Sequence, residues 1–370
     1  MIWCPLTARV SRHVSRTLWI SEAGIISSSH LSGKYPLVDD IPRKSVRDYR
    51  WLVGVWAVVA LFVVVTVVGS RHVGIPVRDP GGAFFRLRIA FSLVMFGLLT
   101  FVDASVRTGR SGWTIGRAAA ELRRCWPRER LAIAVSGLLA YYIVYTCYHN
   151  LKSWDVFNSP RDGELLRFDA WLFFGHSPAQ FLHDMLGQHI ATYVLAVIYE
   201  SFGYLVTLSV VSALVFTKSI RDGYVFLTSA LWVWILGVGS YYLIPSLGPF
   251  AAAPDDFAGL PHTMIASTQE KYLAQRAYLL EHPAASDAFA QISAFASLHV
   301  GFTAMILLMV RYYGLRRASQ AMTLYLVATM IATIYLGWHY VVDDVAGLAL
   351  AGLAVLFGRL MIYPRGRLSP

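Results

Sequence analysis

Residues 51–69 contain no charged side chain and almost nothing polar. A run of about 20 apolar residues matches the length at which a helix crosses the hydrocarbon core of a bilayer. Comparable stretches recur at 89–102, 131–148, 190–216, 224–244, 292–310, 318–337 and 345–362. Backbone amides left unpaired in lipid are costly, so each stretch is expected to be an α-helix. The chain therefore reads as an all-α, polytopic membrane helix bundle of about eight transmembrane helices. The second stretch is short, and Arg86 and Arg88 are expected to snorkel at its edge. Of the 370 residues, 56% are hydrophobic and 15% charged, against about 25% charged in soluble domains. That balance excludes a soluble enzyme, a disordered chain and an ordinary nucleic-acid binder, so no nucleic-acid partner is expected.

The net charge of +10 then reports orientation, because cytoplasmic loops of membrane proteins collect Lys and Arg. With eight spans, both termini and every second loop share a side. The 103–130 loop holds seven Arg and three acids, and 311–317 holds Arg311, Arg316 and Arg317 with no acid. On the other side, 149–189 has three basic and five acidic residues, and 245–291 has two and five. The 70–88 loop, with four Arg and one acid, runs against the pattern. The expected arrangement is an integral plasma (inner) membrane protein with both termini cytoplasmic. Residues 1–50, with eight Lys/Arg and four acids, read as a basic cytoplasmic extension, and 364–370 as a cytoplasmic tail. Cys4, Cys125 and Cys147 have no metal-type spacing.

Two outer segments are long for simple connections. Residues 168–186 are apolar but too short and polar to span, and read as an interfacial helix pair broken at Gly175–Pro178. Residues 255–287 are polar and read as a cap over the outer face.

Alternation of the last four spans brings three unusual segments to this outer face. They are Tyr241-Tyr242-Leu-Ile-Pro245-Ser246-Leu-Gly248-Pro249, Ala296-Ser297-Leu298-His299-Val300-Gly301, and Gly337-Trp338-His339-Tyr340 running on to Asp343-Asp344 and Gly347. Imidazole titrates near neutrality and serves as acid, base or nucleophile. Asp343 follows His339 by four residues, so on a helix the two would share a face. A carboxylate there holds one ring nitrogen protonated and leaves the other as a directed nucleophile. His299, from another helix, would protonate a leaving group. This set suits displacement at phosphorus through a phosphohistidine, with Ser297 and the Gly248 and Gly301 backbone donating to phosphoryl oxygens. A metal site built from His299, His339, Asp343 and Asp344 is the alternative, without a His-x-x-His or His-Glu-x-x-His pattern to accompany it. No metal and no cofactor are therefore expected.

Other unusual residues have plainer readings. Glu200, inside the fourth span, must face the bundle interior or a cavity, either touching a substrate hydroxyl or bonding a neighbouring helix. His149, His176, His183, His189, His262 and His282 are assigned to packing at span ends. Asp344 is read as a cap or a solvated carboxylate. The pairs Tyr141-Tyr142, Tyr241-Tyr242 and Tyr312-Tyr313 resemble interfacial anchors. Trp232 and Trp234 are read as lipid-facing or core.

Ser-Leu-His at 297–299 and His-Tyr-x-x-Asp-x-x-Ala-Gly at 339–347 resemble the second and third motifs of the type 2 phosphatidic acid phosphatase superfamily. Ile244-Pro245-x-x-Gly248-Pro249-Phe250 is similar to the first motif of its inositolphosphotransferase-like branch, which includes the fungal inositol phosphorylceramide synthases. Asp169 to Pro178 resembles that branch's upstream segment. The resemblance covers roughly residues 165–350. It implies a metal-independent catalytic domain at 165–363, behind accessory transmembrane helices at 51–164. It also implies that His339 is the nucleophile, that Asp343 orients it and that His299 is the acid–base. Tyr242, Pro245, Gly248, Ser297, Glu200 and Asp169 are the expected substrate-binding residues.

The phosphatase branch carries a lysine and an Arg-Pro in its first motif, and a Ser-Arg shortly before the nucleophile. Here Pro249 follows Gly248, and Ala332 and Thr333 stand at the Ser-Arg positions. A dianionic monoester benefits most from several cations, whereas a monoanionic diester needs fewer. The expected activity is therefore transfer of a phospho-headgroup, with phosphoinositol a candidate. The donor would be a phospholipid or lipid-linked phosphate, and the acceptor an alcohol or glycolipid. Lys152, Arg161, Arg167, Lys271 and Arg276 are the outer cations that could stand in for the missing ones. The alternatives are a lipid or polyprenyl phosphate phosphatase using water, and, less well matched, a membrane glycosyltransferase or a transporter. A glycosyltransferase should show acids in its first outer loop, where 70–88 holds only Asp79. A transporter leaves the His-x-x-x-Asp arrangement unexplained.

Overall fold

The computed structural model describes residues 49–109 and 112–365. The basic extension up to residue 48, including Cys4, and the end of the tail, 366–370, lie outside the described residues. Among the described residues there are no strands. Seven helices are long and apolar enough to cross a membrane. They are α1 (Arg50–Val73), α2 (Arg86–Gly109), α4 (Arg128–Trp154), α7 (Ile190–Phe216), α8 (Ile220–Leu243), α12 (Arg316–Tyr335) and α13 (Val341–Ile362). Shorter helices fill the connections: α3 (Ile115–Cys125), α5 (Asp162–Leu172), α6 (Pro178–Leu186), α9 (Pro249–Ala252), α10 (Met264–Glu281) and α11 (Leu298–Tyr312).

Two expectations change here. The second span is not short, since α2 has 24 residues. The sixth span does not start at 292, and α11 has only 15 residues, or about 22 Å at 1.5 Å per residue. Residues 288–296 are apolar yet not helical, because their amides are taken by neighbours. Ala290 N–H donates to Ser153 Oγ, Phe295 N–H to Ser246 Oγ and Ala296 N–H to Ser240 Oγ, each at 2.9–3.0 Å. The bundle thus has seven full-length candidates and one short helix rather than eight equal spans.

Helix α8 is the axis of the bundle, and α4, α7, α11 and α13 all pack on it. Without water to drive association in lipid, such packing depends on close backbone approach at small residues. A Cβ on Gly358 of α13 would lie 2.4 Å from Ser229 Oγ of α8. A Cβ on Gly347 would lie 2.5 Å from the Ser297 carbonyl at the start of α11. These glycines set how near α13 comes to its two partners. Helix α4, packed against α1 and α8, buries Tyr141 and Tyr142 completely. They lie in the middle of the helix and are core residues, not interfacial anchors.

The 168–186 segment forms the expected helix pair, although its first helix opens earlier, at Asp162. The pair turns through Phe174 (φ 55°) and Gly175 (φ 93°). It presents Trp171, Phe174, Phe181 and Met185 outward, as an interfacial hairpin does. Helix α10 forms the cap, and Gln269 Nε2 donates to the Leu336 carbonyl at 2.8 Å.

Candidate active site

The three motif segments meet at one end of the bundle through backbone bonds. Phe250 N–H donates to the Gly337 carbonyl, Ala294 N–H to Ser246, and Ser297 N–H to Asp343, at 2.9–3.0 Å. Gly248 holds a φ of 107°, and a Cβ there would lie 2.6 Å from the Trp338 carbonyl. Only glycine lets the first motif turn so close to the third.

His339 precedes α13 instead of lying on it. The chain leaves α12 at Tyr335, turns through Gly337, and pins the Trp338 and His339 amides on the Thr333 carbonyl at 3.0 and 3.2 Å. Tyr340 is the N-cap residue, and Asp343 occupies the third helical position. Asp343 Oδ2 accepts from the Tyr340 amide at 3.1 Å and lies 3.3 Å from His339 Nδ1. The four-residue spacing is therefore a capping geometry, not a shared helical face. In the tautomer with its proton on Nδ1, that proton is shared with Asp343 and Nε2 is left bare. Burial, and next the charge of Lys152, hold the His339 ring down to about 3, with the Ala294 carbonyl opposing. The ring is thus neutral across the physiological range.

More carboxylates lie behind the turn. Asp162, at the start of α5, accepts from the Leu247 and Gly248 amides at 3.0 and 2.9 Å and from Tyr340 Oη at 2.8 Å. It ties the first motif to the third, a role not read from the sequence. Its spacing from either motif carries no local signal, and only the folded α5 brings it there. Asp169 Oδ2 accepts from the Val341 amide at 3.1 Å, as an anion at a helix N-terminus should. Its Oδ1 is buried without a partner and borders a second cavity of about 410 Å³ with Arg167, His176, Gln180 and Tyr340. Burial, against the pull of the Val341 amide, pushes the Asp169 carboxyl up to about 6. Asp344 is 1% exposed and accepts from Thr333 Oγ1 at 3.0 Å. It is a buried brace, not a solvated carboxylate.

His299 is the second residue of α11. Its ring stacks on Tyr199 (centroids 4.0 Å apart), touches Phe202 (4.1 Å) and lies 6.2 Å from the His339 ring. Tyr199 in turn stacks on Trp338 at 5.5 Å, so aromatic rings fix both histidines in one wall. They face a cavity of about 480 Å³ that also holds Lys152, Lys271, Glu200 and Arg88.

The structure thus brings His299, His339, Asp343 and Glu200 together. The remaining expected binding residues border neither cavity, apart from Asp169. Tyr242 Oη donates to the Leu151 carbonyl at 2.8 Å. The Pro245 carbonyl accepts from Arg161 at 2.8 Å. The Gly248 amide is spent on Asp162. Ser297 is fully buried as the N-cap of α11. Of the five outer cations, Lys152 and Lys271 reach the main cavity, Arg167 borders the second, and Arg161 pairs with Glu164. Arg88 enters the cavity and does not snorkel, and His149, Tyr145, Tyr148 and Trp234 line it as well. Among the described residues no group of His, Cys, Asp and Glu could hold a metal ion.

A family model described as the PAP2 superfamily matches residues 163–357, more than half of the chain. No curated protein and no solved structure matches significantly. The matched segment contains both catalytic candidates and Asp343, but neither Arg88 nor Lys152.

Proposed function

The chain belongs to the PAP2 superfamily, and from that premise we propose that it is an integral-membrane phosphotransferase. It would move a phospho-headgroup from a phospholipid or lipid-linked phosphate to an alcohol or glycolipid acceptor. One observation carries the phosphohistidine chemistry, which transfer and hydrolysis share. His339, with Asp343 on Nδ1, faces His299 across 6.2 Å in a cavity that also contains Lys152 and Lys271.

In the first step His339 Nε2 attacks phosphorus. The P–N bond forms, the P–O bond to the lipid alcohol breaks, and protonated His299 gives its proton to the departing oxygen. In the second step the acceptor hydroxyl attacks phosphorus opposite the P–N bond. Its proton passes to His299, the P–N bond breaks and His339 is restored. Asp343 keeps the Nδ1 proton in place and balances the charge of the phosphorylated ring. Burial of the wall by Tyr199, Trp338 and Phe202 limits water at the adduct. The charge asymmetry of the loops supports a site on the extracytoplasmic face with both termini cytoplasmic.

The test is product analysis with purified protein and phosphatidylinositol labelled in the headgroup phosphate. Transfer that requires an added alcohol, with an acid-labile labelled adduct on the enzyme, is the expected result. Release of free inositol phosphate in the absence of an alcohol would instead establish hydrolysis. His339→Ala is expected to abolish the adduct and turnover while the protein stays folded in detergent. Full activity in that variant would overturn the nucleophile assignment.

A further inference from the structure

The main cavity extends beyond the two histidines into a chamber walled by α4 and α8, with Arg88 entering from α2. Tyr141, Tyr142, Tyr145, Tyr148, Tyr241 and Trp234 line it. An aromatic box of this kind is what a quaternary ammonium or other cationic headgroup would seek, through cation–π attraction. Here two of those faces are already taken by the protein's own cations. The Arg88 guanidinium lies 5.2 Å above the Tyr145 ring, and the Lys152 ammonium lies 5.5 Å from the centre of the Tyr241 ring.

Neither cation is held in an ion pair, although Lys152 feels the charge of Asp155 through space. Among the described residues no carboxylate forms an ion pair with Arg88 or Lys152. Asp155, the acid nearest Lys152 in sequence, is held by Asn158 Nδ2 at 2.9 Å and Ser293 Oγ at 3.1 Å. Glu200 is the one acid bordering the cavity, and it shares the cavity with Lys271 as well. Half-buried cations gathered in one cavity around a single acid repel one another, and a bound anion relieves that repulsion.

We propose that Arg88 and Lys152 form an anion seat that holds a phospholipid by its phosphate and admits a neutral or anionic headgroup while rejecting a cationic one. Lys152 sits on the side of the histidines. Arg88 lies over Tyr145, seven residues or about 10 Å earlier along α4, where the headgroup would reach. Both cations come from helices outside the segment that matches the family, so selectivity is built by the accessory half of the chain. The proposal rests on the reading of His339 as the group that meets the phosphate.

The experiment uses full-length His339→Ala protein in detergent. Binding of short-chain phosphatidylglycerol and phosphatidylcholine is followed by the fluorescence of Trp234 and Trp338, which line the cavity. Phosphatidylglycerol is expected to bind about 10-fold or more tightly, as the loss of one charge-assisted contact would imply. Arg88→Gln should narrow that ratio and Arg88→Lys should restore it, which separates charge from folding. Equal affinity for the two lipids, or a ratio unmoved by Arg88→Gln, would overturn the seat. Labelling of the wild-type protein distinguishes the two readings. Selective binding without any phosphoenzyme would defeat the catalytic assignment alone, and a phosphoenzyme with unselective binding would defeat the seat alone.

Discussion

His339 stands on a boundary between two unlike regions. Behind it, at the start of α13, lie Asp162, Asp169, Asp343 and Asp344, all buried, and none of them is paired with a lysine or arginine among the described residues. In front of it, the cavity gathers Arg88, Lys152 and Lys271 around a single acid, Glu200. The acids are stabilised by backbone amides and hydroxyls of the turn they organise. Arg88 and Lys152 lie against tyrosine rings without an ion pair, and a bound anion would balance them. One region is finished by folding and the other by substrate. Buried carboxylates near the proposed nucleophile therefore need not take part in the chemistry: three of these four hold backbone or a neighbouring side chain in place, and only Asp343 also touches the ring.

Substitutions on the two sides should fail in different ways. Asp343→Asn should have the largest effect, because an amide cannot both keep the Nδ1 proton in place and balance the phosphorylated ring. A fall in kcat of about 10²–10⁴-fold is expected with little change in KM, measured on the labelled lipid. Asp162→Ala should come next and should appear as lost stability. It strands the Leu247 and Gly248 amides and the Tyr340 hydroxyl, at about 1–3 kcal/mol for each group left unsatisfied. Thermal unfolding in detergent would register this, and an unchanged melting temperature would break the claim that the acids are structural.

Lys152→Gln should raise KM about 10-fold, with the fold preserved. The charge of Lys152 helps hold His339 at about 3, so its removal must move that value up. His339 acts only when neutral, so the acid limb of kcat/KM should shift to higher pH. Asp169→Asn should have the smallest effect, and one that disappears in acid. The carboxyl sits at about 6, above its unfolded value, so stability is lost as pH rises from the unfolded value to about 6 and the full cost applies above it. The asparagine keeps an acceptor for Val341 and removes the charge. The variant should therefore melt higher than wild type above pH 6, and alike below pH 4.

Much of this architecture is legible in the sequence, and the failures have a common cause. Spanning helices announce themselves because lipid demands apolar length, and the three motif segments converge because alternation of spans leaves no other arrangement. What sequence cannot supply is which side of a helix faces its neighbours. Arg88 at a span edge and Tyr141-Tyr142 look like interface residues until α4 is seen packed between α1 and α8. The apolar stretch 292–296 reads as helix until serines on α8 and the first motif take its amides. Asp343 was legible as the partner of His339 but through the wrong geometry, since a cap and a helical face both place a carboxylate near a residue a few positions away. Ser297 and Gly248, with motif positions that suggest phosphate ligands, are occupied by the fold itself.

Asp343 has one further consequence, for motion. Its side chain holds His339, and its backbone carbonyl accepts the Ser297 amide at the head of the helix that carries His299. Both histidines are thus referenced to one residue, like the two jaws of a caliper on a single bar. When the helices slide or tilt against one another on the microsecond-to-millisecond scale of collective motion, the pair travels together. Deformation of the bundle by lipids of different thickness should then leave the 6.2 Å separation of the two rings unchanged.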